Sequence, residues 1–309
     1  RPLYNSVDAS LLLFEQVKKY IEYTKDYNFI MNEIYQNLEH IIKNYSIGID
    51  IDDNNIYLDT DGLIVSGTPY TQNTWMDVKY DGIPATPRNG KPVEINAMWY
   101  NALKVMVELA EYQKDDSKKE KYERMANKCK ESFREKFYNK SKKCLYDVLE
   151  DGKVRPNQLF ALSLSYPVLD VNSKEAKEMF ETVTKKLLNK YGLKTLAKGE
   201  ENYIDIYEGN SFKRDFSYHQ GITWTWLLGL YYNCLKRFAA ESRTGKKKYN
   251  EQLEEFIQSV TETFSKEINE RGCIGSIAEI YDSKRPFEPK GAVAQAWSVA
   301  EVFRIITRS

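Results

Sequence analysis

Thr74–Asn101 reads TWMDVKYDGIPATPRNGKPVEINAMWYN. It holds two of the five tryptophans, Trp75 and Trp99, with Asp77 directly after Trp75-Met76. The breakers Gly82, Pro84, Pro87 and Gly90 make its first half a loop. From there apolar residues recur at helical spacing: Ile95, Met98/Trp99, Ala102/Leu103, Val105/Met106 and Leu109/Ala110. This helix is apolar over most of its surface, as a buried helix is. An aromatic ring beside a carboxylate, on a loop that ends at a helix N-terminus, suits a site that cleaves sugars.

The next helix, about 117–138, is highly charged, with Tyr122, Met125, Cys129, Phe133 and Phe137 on one face. A one-stripe helix lies on the outside of a fold. The same alternation runs through the chain. Residues 7–24, the helix after Thr74–Asn101, 156–166, 221–239 and 291–306 read as inner helices; 27–45, 117–138, 173–188 and 247–268 read as outer ones. Strand signals are few: 48–66 suggests a small hairpin, and Cys144–Leu149 a further short strand. Inner and outer helices joined as antiparallel hairpins predict an all-α toroid, with small β-hairpin insertions, in a single domain spanning 1–309. All inner helices then point the same way, and their N-termini share one mouth. Nine helices can be read, fewer than the twelve of six closed hairpins, so either further helices escape the periodicity or the toroid is incomplete at its N-terminus and is completed by sequence ahead of Arg1. The start at Arg1 rather than Met points to a fragment or processed piece in the same way.

Five chemically dense loops open onto that mouth: Tyr4–Asp8, Trp75–Glu94, Arg155–Gln158, Asp215–Gly221 and Glu279–Trp297. All five tryptophans lie in or just after three of them. Loops this rich are usually functional.

Composition narrows the function classes. Lys+Arg and Asp+Glu both number 45, so no bulk charge draws the chain to nucleic acid or to an anionic membrane. No apolar run approaches the ~18 residues of a membrane span. The four cysteines show no metal-ligand spacing and read as reduced, packed thiols; only two histidines are present. No signal peptide opens the chain, and a cytoplasmic protein without metal or organic cofactor is expected.

Paired carboxylates are then the natural chemistry. Asp77, among Trp75, Met76 and Val78, is the candidate acid, since burial there raises its pKa. Glu279, after Gly275-Ser276-Ile277-Ala278, is the candidate base. Asp8 reads either as a ligand for sugar hydroxyls or as a helix N-cap, with Ser6 an equally good cap. Glu94 is either a first-turn acid paired with Lys91 or a sugar ligand. His219, beside Gln220, could hydrogen-bond a hydroxyl. Trp75, Trp99, Trp224, Trp226 and Trp297 could stack on pyranose rings or pack in the core. Tyr4, in the first mouth loop, is a further candidate.

These motifs resemble a known family. YNSVDAS (Tyr4–Ser10), TWMD (Thr74–Asp77), TPRNGKPVEINAMWYNAL (Thr86–Leu103), RPNQLFALSL (Arg155–Leu164), YHQGITWTWLLG (Tyr218–Gly229), SIAEIYD (Ser276–Asp282) and PKGAVAQAWSVAEVFR (Pro289–Arg304) are similar, in order, to the C-terminal glucosidase domain of glycogen debranching enzymes, the amylo-alpha-1,6-glucosidase family. The resemblance covers essentially the whole chain. It implies an (α/α)6 six-hairpin barrel that removes α-1,6-linked glucose from the branch points of glycogen or limit dextrin, with inversion. It makes Asp77 the general acid and Glu279 the general base. Asp8, Trp75, Lys91, Glu94, His219 and Trp297 would shape the glucose subsite. Three departures stand out. Helices usual upstream of YNSVDAS are absent, as is the separate N-terminal domain, to which any transferase activity of such enzymes would belong. TWTW at Thr223–Trp226 replaces an expected Trp-Pro-Trp. The competing readings are a glycan-binding or subunit module without turnover, and another six-hairpin glycosidase of trehalase type.

Overall fold

The computed structural model describes residues 5–51 and 54–308, so Tyr4 lies outside the described residues. The chain is mostly helical with small antiparallel sheets, and it forms two compact units.

The first unit comprises Arg1–Tyr138, Tyr146–Asp151 and Leu164–Leu169. Its long helices are α1 (Ala9–Thr24), α2 (Tyr35–Ile47), α3 (Val93–Gln113) and α4 (Asp116–Lys136). Helix α3 buries 16 of its 21 residues. Pro92 precedes it in extended conformation, and the left-handed Lys114 ends it. Helix α4 is capped by Asp115, whose side chain accepts from the Lys118 N–H, and buries the single stripe Tyr122, Ala126, Cys129 and Phe133. Full burial of a large apolar side chain such as Phe133 is worth about 1.5–3 kcal/mol of hydrophobic stabilisation. The inner and outer characters expected of these two helices are thus observed.

Long-range contacts fix the helix directions. Glu15 meets Asn101 (3.2 Å) and Lys18 meets Glu108 (3.0 Å), so α1 and α3 run parallel. Cys129 Sγ lies 3.7 Å from the Asn96 carbonyl, and Lys119 pairs with Glu111 at 3.0 Å, so α4 runs back along α3. The hairpin expected in 48–66 is present as β1 (Tyr57–Leu58) and β2 (Ile64–Val65). Two features were not legible in the periodicity. Residues Ile30–Ile34 form a π-helical turn ahead of α2. The loop after Asp77 folds into a hairpin of β3 (Lys79–Tyr80) and β4 (Ile83–Pro84), whose turn places Asp81 and Gly82 at positive φ.

The second unit comprises Asn139–Leu145, Gly152–Ser163 and Asp170–Ser309. Its long helices are α5 (Lys174–Lys186), α6 (Leu227–Glu241), α7 (Lys246–Glu270) and α8 (Ala296–Ile306). The pairs Leu159–Cys234 and Leu162–Arg237 run parallel, and Arg304 of α8 donates to both Gly229 and Asn233 of α6. Helix α7 runs against α6, with Phe238 stacked on Tyr249 and Tyr231 packed at a tilt against Phe256. Residues 156–166 do not form one helix: a 3-10 turn, Pro156–Leu159, leads into the single turn Phe160–Ser163. Helix α8 departs from the inner character expected of it. It buries Ser298, Val302 and Ile305 and leaves Trp297, Val299 and Phe303 exposed.

A five-stranded antiparallel sheet in this unit escaped the sequence reading. It is built from β5 (Leu188–Asn189), β6 (Gly192–Lys194), β7 (Thr223–Trp224), β8 (Ile280–Tyr281) and β9 (Pro289–Lys290), in the order β9-β8-β7-β6-β5. Strands of two or three residues are too short to show alternation. Strand β7 takes the start of the apolar run 221–239, so α6 begins only at Leu227.

Candidate active site

The first candidate carboxylate, Asp77, lies in the first unit. Because α1 and α3 are parallel, the residues ahead of them meet at one end. The Val7 N–H donates to the Asn73 carbonyl at 2.8 Å, which ties the start of α1 to the start of the TWMD loop. The choice between Ser6 and Asp8 as cap is settled here. Ser6 Oγ accepts from the Ala9 N–H at 3.1 Å, and the same hydroxyl donates to Asp8 Oδ1 at 2.7 Å. Asp8 makes no side-chain capping bond. Burial pushes the Asp8 carboxyl up from its ordinary value, against the pull of Ser6 and of backbone N–H groups that include Trp75's.

Asp77 follows Met76, which is 1% exposed. Its own side chain reaches solvent, contrary to the burial expected from its apolar neighbours. Its pKa is nevertheless raised. Desolvation by the atoms crowded around it is the main cause, and the nearby Asp8 charge adds to it, against a backbone hydrogen bond. Asp8, Trp75 and Asp77 are thus brought together, with Trp75 half-buried beside them.

Other candidates in this stretch are committed to the scaffold. Lys91 and Glu94 do not pair. Lys91 Nζ donates to Asp59 (2.6 Å) and Asp61 (2.7 Å), fastening the β1–β2 hairpin. Glu94 has no exposed surface and is held by both terminal nitrogens of Arg88. Arg88 in turn binds Asp147 through Nε at 2.7 Å and Thr74 Oγ1 through Nη1 at 3.0 Å. Burial works against the Arg88 charge, but Asp147 and Glu94 outweigh it and hold the guanidinium firmly protonated. Burial pushes the Glu94 carboxyl up, with Arg88 pulling against it. Trp99 is fully buried and stacks on Tyr45 with ring centroids 6.1 Å apart, so it offers no face to a sugar. Glu94 as ligand and Trp99 as platform are therefore corrected to core roles. A helix apolar all round buries whatever its N-terminal turns carry.

The second candidate carboxylate, Glu279, lies in the second unit. Glu279 immediately precedes β8 and is half-buried. Its N–H donates to the Ala292 carbonyl at 3.0 Å, and the Ala292 N–H returns a bond to Oε2 at 2.9 Å. Gln295 Nε2 donates to Oε1 at 3.2 Å. A Cβ on Gly291 would come within 2.3 Å of Glu279 Oε2, and its φ is +70°, so glycine is required there. Burial is the main cause raising the Tyr207 phenol pKa; Arg214 pulls it down, and the Asp215 and Glu279 charges add to the rise.

His219 and Gln220 are buried in this unit. The His219 ring stacks on Trp224 (5.3 Å, 21°) and lies 5.0 Å from the Tyr218 ring. Gln220 Oε1 accepts from Arg155 Nη2 at 2.8 Å, and Arg155 Nη1 donates to the His219 carbonyl. The RPNQ motif thus clamps the YHQG loop. Trp224 is 5% exposed and belongs to the core. Trp297 is 49% exposed and packs edge-on against Trp226, centroids 5.1 Å apart, which leaves ring surface open to a ligand. Arg88, Asp147, Arg155, Tyr207, Gly291 and Gln295 went unnamed as site residues in the sequence. Arg88, Arg155, Gly291 and Gln295 lie in motifs that the sequence marks; Asp147 and Tyr207 carry no local signal.

A profile of the family described as Amylo-alpha-1,6-glucosidase matches residues 1–304. The chain belongs to the amylo-alpha-1,6-glucosidase family. Among family-related sequences, the chain is 26% identical over 223 residues to the glycogen debranching enzyme of Saccharomyces cerevisiae (strain ATCC 204508 / S288c). That match takes in 57% of this chain and 14% of the yeast protein, so the chain spans a small part of that relative. Among solved structures, a sialidase superposes with a TM-score of 0.65 over 97% of this chain and 26% of its own, at 12% identity. The likeness to the sialidase is one of fold. The amylo-alpha-1,6-glucosidase family is one of glycoside hydrolases, and none of the helices described is long and apolar enough to cross a membrane.

Proposed function

We propose that this chain is an inverting glucosidase that removes α-1,6-linked glucose at branch points of glycogen or a related α-glucan, on an (α/α)6 toroid. The observation that carries the reading is the Asp77 carboxyl, set in the TWMD loop of a family member with its pKa raised by desolvation and by Asp8. A carboxyl whose charged form is disfavoured in this way is suited to giving its proton to the glycosidic oxygen. Glu279, whose two oxygens both act as acceptors, takes a proton from the attacking water. Asp8 and Trp75 contact the terminal glucose, and Trp297 supplies a stacking face. Two carboxyl groups suffice for this chemistry, and inversion calls for about 6.5–9.5 Å between them. The free thiols go with a reducing, cytoplasmic setting. An N-terminal domain in the full-length protein is the expected partner.

The test follows the anomer released from a glucosyl-branched oligosaccharide or limit dextrin by proton NMR. β-Glucose appears first, and Asp77→Asn and Glu279→Gln each lower its release by roughly 10³-fold. Initial α-glucose, or full activity in either variant, overturns the assignment. Binding without release would make the chain a glycan-binding module, and release from trehalose a trehalase-type enzyme.

A further inference from the structure

We propose that Arg88 is a positioning residue for the acid side of the site, acting through its hydrogen bond to Thr74, the first residue of the TWMD loop. This inference rests on the glucosidase reading and adds to it a residue that touches no substrate.

The argument starts from the guanidinium fork. Arg88 is 6% exposed and spends every nitrogen inside the first unit. Nε donates to Asp147 Oδ2 at 2.7 Å. Nη2 donates to Glu94 Oε2 at 2.6 Å and also faces Asp147 Oδ1 and the Asp147 carbonyl, at 3.1 and 3.2 Å. Nη1 donates to Glu94 Oε1 and, at 3.0 Å, to Thr74 Oγ1. The guanidinium is planar, so bidentate bonds to two carboxylates fix its plane and direction. The remaining donor toward Thr74 is then aimed by the core.

The two carboxylates are themselves anchored. Glu94 lies in the first turn of α3. The Asp147 carbonyl accepts from the Val93 N–H at 2.9 Å, and Asp147 is 2% exposed. Thr74 therefore hangs from the N-terminus of α3 by way of Arg88. Its neighbour Asn73 accepts from the Val7 N–H and donates through Nδ2 to the Asn54 carbonyl at 2.9 Å. Asn73 and Thr74 together form one fixed point from which the chain reaches Asp8 on one side and Asp77 on the other. No long element holds the TWMD loop itself; it runs without regular structure until β3. A side chain on such a loop keeps its place only if its supports are rigid.

The experiment separates the Thr74 hydroxyl from its methyl. Thr74→Val keeps the shape and removes the acceptor, Thr74→Ser keeps the acceptor, and Thr74→Ala removes both. Glucose release from the branched oligosaccharide is measured where circular dichroism shows each variant folded, beside Asp77→Asn. A displacement of about 1 Å at a catalytic group can cost about 10²-fold. Thr74→Val and Thr74→Ala are expected to lose roughly 10- to 100-fold in kcat with KM within about twofold, and Thr74→Ser to stay within about threefold of wild type. Crystal structures of the Val and Ser variants read the same effect without turnover: the Asp77 carboxyl shifts relative to Asp8 in the first and stays in the second. Wild-type kcat and an unmoved Asp77 in Thr74→Val, or an equal loss in Thr74→Ser, overturn the proposal. Full activity in Asp77→Asn overturns the glucosidase reading instead, and the crystallographic comparison still decides the role of Arg88.

Discussion

The two carboxylates proposed for catalysis are held by different means. Asp77 sits on an irregular loop, solvent-facing, beside a second carboxyl, and its loop is tied by side chains to a buried ionic cluster. Glu279 sits immediately ahead of β8, an inner strand of a five-stranded sheet, and its oxygens receive one backbone N–H and one side-chain amide from residues that follow β9. The contrast suits the two tasks. A proton donor is best placed where its charged form is disfavoured, and a general base where its carboxylate is held in a fixed orientation toward the water it activates. The acid side relies on long-range side-chain contacts, and the base side on local backbone.

Substitutions can break this contrast. The largest effect is expected from Arg88→Met, which leaves Glu94 and Asp147 buried without their partner. Loss of one member of such a cluster costs about 3–5 kcal/mol. Chemical denaturation should show that loss, with the TWMD loop the first region to gain hydrogen exchange. Wild-type stability would mean that the acid side does not hang on this cluster.

Gly291→Ala comes next. Its Cβ would collide with Glu279 Oε2 in a backbone conformation that favours glycine. The strain is of order 1–3 kcal/mol, and the hairpin can relieve part of it by moving the carboxylate. Glucose release should fall with only a small drop in Tm. A large drop in Tm with unchanged kcat in the folded protein would make Gly291 a purely structural residue.

The smallest effect is electrostatic. The Asp8 charge helps to raise the Asp77 pKa. Asp8→Asn removes that charge and lowers the Asp77 pKa, so the acid loses its proton at lower pH. The basic limb of the kcat/KM profile should then move to lower pH. An unmoved limb would remove Asp8 from the electrostatics of the acid. The same raised pKa bears on stability. A carboxyl that binds its proton more tightly when folded contributes most below its unfolded pKa, and that contribution is lost as pH rises through the folded one. Asp77→Asn should therefore raise Tm slightly at neutral pH and leave it unchanged in acid.

Much of this was legible in the residues, and its limits have physical causes. The apolar face of α3 and the single stripe of α4 follow from a 3.6-residue period, which a sequence displays directly. The rich loops and their carboxylates stand out because glycine, proline and tryptophan mark them. The five-stranded sheet did not stand out, because its strands of two or three residues are set by pairing across distant segments. Glu94 and Lys91, three residues apart, looked like partners, yet each is taken by a residue from elsewhere: Arg88 and Asp147 enclose the Glu94 end of α3, and Asp59 and Asp61 claim Lys91. Helix α8 has an apolar surface that its sequence assigns to an inner position, and Trp297, Val299 and Phe303 remain exposed.

The sequence alone determined the helical periods, the breaker-rich loops, the motifs of the family, and Asp77 and Glu279 as the carboxylates of interest. Those are local properties, written within one or two turns of chain. The tertiary structure decided which polar groups are free and which are spent. It sealed Glu94 beneath Arg88, packed Trp99 against Tyr45, gave the helix cap to Ser6, and left the Asp8 carboxyl beside Asp77. Such choices depend on partners as far apart as Arg88 and Asp147, 59 residues along the chain. Only the folded packing, which makes each buried polar group find an acceptor or donor, selects among them.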